Sequence, residues 1–241
     1  IALYRASLVN GYCIPDFEGR DICTEKCYHP LLTDPVKNSI SHAGNVLLTG
    51  SNASGKSTFL KTIGINALFA QTIHTCCADR FQTCFYEVVS SMSLRDSISG
   101  GDSYYIAEIK AIKRIFEKIQ QAKSDKVKIL CFLDEVLRGT NTIERIAGAT
   151  QILKEVAKTN SGCYAATHDI ELTELLSRDY SNYHFEEEIV DGDIRFRYEL
   201  LKGKATSRNA IRLLQCMGFE ESLIREAEHR AERFLETGVW S

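Results

Sequence analysis

With 241 residues, 44% of them hydrophobic, the chain is long enough for one large α/β domain, or one domain with an appendage, around a substantial core. Its formal charge of −3, with acidic and basic residues interspersed, excludes the basic stripe of a direct duplex binder, and no apolar run approaches the roughly 18 residues of a membrane span. The opening Ile1-Ala2-Leu3-Tyr4-Arg5 reads neither as a signal peptide nor as a natural start, so a soluble piece of a longer chain is expected, with no membrane partner.

The first segment, residues 1–44, carries Pro15, Pro30 and Pro35 and predicts short strands and turns leading into a core. Cys23, Cys27 and His29 lie there, but no second ligand pair stands at zinc-site spacing. Nine cysteines form an odd set without a paired C-x-x-C, and several sit in apolar context, such as Cys131 in ILCFLDE. Free cysteine behaves there as a small buried hydrophobe, which predicts a reducing, cytoplasmic setting.

The core is expected over 45–205. Val46-Leu47-Leu48-Thr49 reads as a strand, and Gly50-Ser51-Asn52-Ala53-Ser54-Gly55-Lys56-Ser57 follows it in the pattern G-x-x-x-x-G-K-[ST]. A helix is predicted from Thr58 to about Ile73. Such a loop turns its backbone N–H groups onto a phosphate chain, and the helix adds its positive end. Lys56 is expected to reach the β- and γ-phosphates, and Ser57 to offer a hydroxyl to Mg²⁺. Gly50 and Gly55 permit the turn and the close backbone approach. A glycine-rich turn that binds nothing is the alternative, and the strand before it and helix after it argue against that.

DSISGGDSYYIAEI, 96–109, is a second glycine-serine loop opening a helix, without the lysine. Its helix carries Tyr105, Ile109, Ile112, Phe116 and Ile119 at helical spacing. KILCFLDE, 128–135, is a strand too short and β-rich for a helix, ending in two carboxylates. Neighbouring residues on a strand face opposite ways, so Glu135 must sit where the strand ends and the chain turns. There Asp134 would hold Mg²⁺ through its shell, while Glu135 would polarise water facing the γ-phosphate. A further helix follows with Ile146, Ala149, Leu153 and Val156, then a strand in CYAATHD, whose end places His168 to sense the γ-phosphate by a hydrogen bond, the alternative being a satisfied structural histidine. Strand-helix alternation predicts a largely parallel sheet flanked by helices, with ligands at the strands' carboxyl ends. Asp191-Gly192 between two alternating segments predicts a hairpin. The tail, 206–241, predicts two helices around Gly218, the second with a stripe of Ile224, Ala227, Ala231 and Phe234 that either caps the core or docks on a partner.

The ordered set TGSNASGKSTFLKT, SISGGDSYYIAEI, FLDEVLRGTNTIERIAGA and AATHDIELTEL, with the hairpin and helix-turn-helix-like tail, resembles the ATPase domain of the MutS family of DNA mismatch-repair proteins. HPLL at 29–32, followed by Asn38, resembles that domain's lead-in, and the likeness runs from about Tyr12 to Glu236. It implies an ABC-class P-loop ATPase whose two subunits bury nucleotide between the P-loop of one and the signature loop of the other. By position it makes Asn52, Gly55, Lys56, Ser57 and Thr58 contacts to phosphate and Mg²⁺, Asp134 the metal-associated carboxylate, Glu135 the water-orienting one, and His168 a switch histidine. Ser103 falls where the signature serine reaches the partner's γ-phosphate, and Ser99 is its rival in another register. Val36 stands near the position of an adenine-stacking aromatic, and Tyr198 where a ring from the hairpin would cover the base. The implied cofactors are ATP and Mg²⁺. The implied partners are a second copy through composite sites and the tail helices, DNA through parts absent from this chain, and repair proteins. The alternatives are an ATP-gated dimerisation module of a MutS-like protein acting in recombination or on other DNA structures, and another ABC-class ATPase; the R-G-T-N-T stretch argues against a transporter.

Overall fold

Val46 and Leu48 pack on one side of their strand while Leu47 between them packs on the other, and the same alternation splits Leu130 and Phe132 from Ile129, Cys131 and Leu133. Strands buried on both faces are the mark of a sheet sandwiched between layers. The computed structural model describes residues 11–41, 44–92, 104–122, 128–190, 193–205 and 210–239. Its central sheet has six strands in the order β11-β8-β3-β7-β6-β5. These are β3 (Val46–Thr49), β5 (Tyr86–Ser91), β6 (Lys128–Asp134), β7 (Gly162–Ala166), β8 (Ser181–His184) and β11 (Leu201–Lys202), all parallel to their neighbours except β11.

One face of the sheet carries α1 (Lys56–Ile73), through Phe59, Leu60, Ile63, Ala67 and Ala70. The same core holds Cys27, Ile40 and Phe81 from a small antiparallel sheet of β1 (Cys23–Cys27), β2 (Asn38–Ile40) and β4 (Arg80–Gln82), with Ile22 just before β1. The pairing of β1 with β4 crosses the sequence boundary at residue 44, so the lead-in is woven into the segment that follows the P-loop.

The other face carries α2 (Tyr104–Gln121) and α3 (Thr142–Ala157), followed by the short α4 (Glu171–Leu175). On α3, Ala149, Leu153 and Val156 are buried as their spacing predicts. On α2 the inward face is rotated from the expected one: Glu108, Ile112, Ile115 and Ile119 are buried, whereas Ile109 is exposed. Residues i, i+4, i+7 and i+11 share one face of a helix, and a polar contact at Glu108 takes the position the apolar pattern assigned to Ile109.

The hairpin pairs β9 (Glu187–Val190) with β10 (Asp193–Phe196), and its Asp191-Gly192 tip lies outside the described residues. The tail folds as α5 (Ala210–Cys216) and α6 (Glu221–Thr237), with Gly218 between them in the left-handed conformation at φ 79°. Ile224 is buried, while Ala227, Ala231 and Phe234 are half-buried. All nine cysteines are free thiols, and burial pushes the Cys27 thiol well above its ordinary value. Among the described residues no cluster of three or more His, Cys, Asp or Glu is arranged to hold a metal ion, and no helix is long and apolar enough to cross a membrane.

Candidate nucleotide-binding site

Four parallel strands end side by side. The amide of Glu135, just past β6, donates to Ala166 O at 2.8 Å, Thr167 N past β7 donates to Leu48 O at 2.9 Å, and Phe185 N past β8 donates to Thr49 O at 3.0 Å. The segments after β6, β7, β3 and β8 are thereby held in register, which is where ligands bind in open α/β sheets.

The loop from Gly50 to Gly55 depends on its glycines. Gly50 has φ 143°, and a Cβ there would lie 2.7 Å from Phe185 O. Gly55, at φ 113°, precedes the first turn of α1 and faces the Tyr198 ring, 3.3 Å from where its Cβ would be. Lys56 is 5% exposed, and its Nζ donates to Gly50 O at 2.7 Å and Ser51 O at 2.8 Å. Burial pushes its ammonium below the ordinary lysine range, against the pull of Glu135, Asp134 and Glu187. Ser54 Oγ is buried without a hydrogen-bond partner, and Ser51 Oγ donates to Glu187 Oε2 at 2.9 Å. A helix N-terminus, a buried ammonium and an unsatisfied hydroxyl form a donor set that suits an anion.

Glu135 lies beyond the last residue of β6 with φ 54°, the turn that strand alternation required of it. Its Oε1 lies 3.5 Å from His168 Nδ1. Its Oε2 lies 3.1 Å from Arg138 Nε, an ion-pair distance without hydrogen-bond alignment, so this oxygen is buried and unsatisfied. His168, with Arg138 and Lys56, holds the carboxyl below its ordinary value against the opposing effect of burial. The loop after Glu135 is clamped from both flanking helices. Glu108 Oε1 of α2 accepts from Leu137 N at 2.5 Å, and a Cβ on Gly148 of α3 would lie 2.6 Å from Leu137 Cδ1.

A cleft of about 490 Å³ opens beside the loop. Ser51 to Ala53, Gly55 to Thr58 and Glu135 line it, as do Val36 from the lead-in and Tyr198 from beyond the hairpin. Gly50, Ser54, Asp134 and His168 do not line it; Asp134 ends β6 within electrostatic reach of Lys56. Ser99 and Ser103 lie outside the described residues.

Two features were not legible beforehand. The side chain of Asn38 clips the Tyr198 segment to the lead-in: its Nδ2 donates to Tyr198 O at 2.9 Å and its Oδ1 accepts from Leu200 N at 2.7 Å. Tyr198 itself takes the uncommon φ of 56°. The second feature is an ion pair between Arg145 and Asp169, adjacent to His168. Nothing in the chain's local patterns joins either pair across such separations.

A parallel sheet with this glycine-lysine loop at one strand's carboxyl end, and an acidic pair at the end of another, defines an α/β fold of the P-loop nucleoside triphosphatase type. The family model of MutS domain V matches residues 46–235, and the chain belongs to that family. Curated relatives include the DNA mismatch repair protein MutS of Aquifex pyrophilus, 29% identical over an alignment of 237 residues that covers 92% of this chain and 27% of the relative. The protein of the same name from Thermosipho melanesiensis is 30% identical over 90% of this chain and 27% of its own length. That from Thermus thermophilus is 26% identical over 94% of this chain and 28% of its own length. The chain thus spans little more than a quarter of the relatives it matches.

Proposed function

We propose that this chain is the ATP-binding and ATP-hydrolysing unit of a MutS-like DNA mismatch-repair protein, coupling nucleotide state to DNA clamping by regions outside these 241 residues. The observation that carries the reading is the convergence of Lys56, the Gly50–Gly55 loop and Glu135 on one cleft at the carboxyl ends of parallel strands.

In this reading the amides of Asn52 to Thr58 and the Lys56 ammonium hold the phosphate chain of ATP. Donors fixed in place by the fold need no reorganisation as charge develops, which makes them more effective than the same groups in water. The oxygen donors present, the Ser57 hydroxyl and the Asp134 carboxylate acting through water, suit Mg²⁺, which would neutralise charge on the phosphate oxygens. Glu135, kept anionic beside His168, accepts a hydrogen bond from the attacking water and aims its lone pair. His168 donates to the terminal phosphate. Tyr198 and Val36 take the base. A second copy, its Ser103 or Ser99 completing the site, forms a dimer through these composite sites and the tail helices, in whose connecting turn Met217 and Phe219 are exposed. The division into lead-in, core and C-terminal dimerisation extension belongs to this reading, as do DNA and repair-protein partners. So does a cytoplasmic location, which nine free thiols support.

Two measurements test it. Phosphate release under saturating ATP and Mg²⁺ is expected to be abolished by a chelator; tight ATP binding without release would reduce the unit to a nucleotide-gated dimerisation module. Tyr198→Ala is expected to weaken ATP binding by about 1 to 2 kcal/mol, the scale of an aromatic stacking contact. Inorganic triphosphate binding should be unaffected, and an equal loss for both ligands would take the ring off the base.

A further inference from the structure

From Glu135 in the cleft wall runs a row of ionisable side chains assembled from three elements. Arg138 Nε stands 3.1 Å from Glu135 Oε2, and Glu135 Oε1 stands 3.5 Å from His168 Nδ1. On the far side of the imidazole, His168 Nε2 stands 3.8 Å from Asp169 Oδ1. Asp169 is gripped bidentately from α3, Arg145 Nε donating to Oδ2 at 2.8 Å and Nη2 to Oδ1 at 2.6 Å. His168 thus lies between two carboxylates, each with an arginine beside it: Asp169 is hydrogen-bonded through both oxygens by Arg145, whereas Glu135 meets Arg138 at an ion-pair distance only and lines the cleft.

We propose that Arg145 is a positioning residue for hydrolysis, acting through Asp169: by holding that carboxylate it leaves the His168 imidazole to Glu135 and to the terminal phosphate. The inference rests on the reading of this cleft as an ATP-hydrolysing site. The Asp169 side chain is 7% exposed and that of Arg145 is 13% exposed, so the pair is sheltered from water. A carboxylate left buried without its partner is costly and takes the nearest donor. For Asp169 without Arg145, that donor is His168 Nε2. One ring cannot swing onto Asp169 and keep its Nδ1 beside Glu135. The fork geometry matters, since a guanidinium satisfies both carboxylate oxygens at once and an ammonium does not. Asn141 supports the arrangement by capping α3, its Oδ1 accepting from Ile143 N at 2.9 Å and Glu144 N at 3.2 Å, so that Arg145 leaves the helix's first turns at a defined angle.

The test compares the unmutated chain with Arg145→Ala, Asp169→Asn and the double variant, by steady-state phosphate release and by equilibrium ATP binding. Arg145→Ala is expected to lower kcat about tenfold with KM within about twofold, the pattern of a misplaced group that does not hold substrate. In the double variant the competing carboxylate is gone, and kcat is expected to return to within about threefold of the unmutated value. A purely structural ion pair predicts the reverse, with two lesions at least as harmful as one. Unchanged kcat in Arg145→Ala, or no recovery in the double variant, overturns the assignment. Should Arg145→Ala not fold, as judged by its thermal melt, the double variant decides: activity near that of the unmutated chain upholds the inference, and activity as low as that of His168→Ala overturns it. Absence of phosphate release by the unmutated chain would instead overturn the hydrolytic reading, and the inference with it; an active unmutated chain with an indifferent Arg145→Ala removes the inference alone.

Discussion

Glu135→Gln is expected to bind ATP within about threefold of the unmutated chain and to turn it over about 10²-fold or more slowly, the scale of a lost catalytic interaction. The substitution preserves shape and changes only what the side chain can accept. Because Glu135 lines the cleft without anchoring the P-loop, binding should be spared. Its backbone, at φ 54° with the amide held by Ala166 O, does not depend on the carboxylate, so the strand end stays in place. The carboxylate is held between His168 Nδ1 and Arg138 Nε, and an amide there would lose the charge that both neighbours favour. Equilibrium ATP binding measured beside steady-state phosphate release separates the two effects. Unchanged turnover would remove Glu135 from the mechanism; a loss confined to binding would make it a ligand contact instead.

What could be read from the chain, and what could not, divides by range. The P-loop was legible because its requirements are local: φ values open only to glycine at Gly50 and Gly55, a strand before them and a helix after. The turn at Glu135 followed from period-two alternation, since Asp134 and Glu135 could not both serve one site on a regular strand. The α2 stripe was misassigned at its first turns because apolar periodicity cannot anticipate that Glu108 turns inward to a backbone amide 29 residues away. Asn38 and Tyr198, 160 residues apart, meet only once the lead-in sheet and the hairpin are folded against the same end of the central sheet. Likewise the pairing of β4 with β1 depends on which edge is open after α1, and no property of Arg80, Phe81 and Gln82 announces it. Order along the chain gave the elements; the sheet order β8-β3-β7-β6-β5, which brings the four catalytically suggestive ends together, is a long-range property.

Mixing Lys56→Ala with Ser103→Ala protein is expected to restore activity that neither shows alone. If nucleotide lies between subunits in a two-fold dimer, each site takes Lys56 from one chain and the signature serine from the other, so a mixed dimer unites one intact Lys56 with one intact Ser103. At equal amounts with random exchange, half the dimers are mixed and one of their two sites is whole, so activity should approach about a quarter of the unmutated value if the sites act independently. The described structure adds a reason to watch for departure from independence. α2 begins at Tyr104, the residue after Ser103, and four residues on Glu108 accepts from the Leu137 amide in the loop that carries the same chain's Glu135. Glu108 is buried, so this bond is shielded from competing water. A helix fixed at one end to the loop of the proposed water-orienting Glu135, and opening next to the serine proposed for the partner's site, offers a short mechanical path between the two. Recovery well below a quarter, at concentrations where the unmutated chain shows concentration-independent specific activity, would report such coupling. No recovery at all would sink the shared-site role of Ser103. If Ser103→Ala proves active alone while Ser99→Ala is inactive and is rescued by Lys56→Ala, the role passes to Ser99.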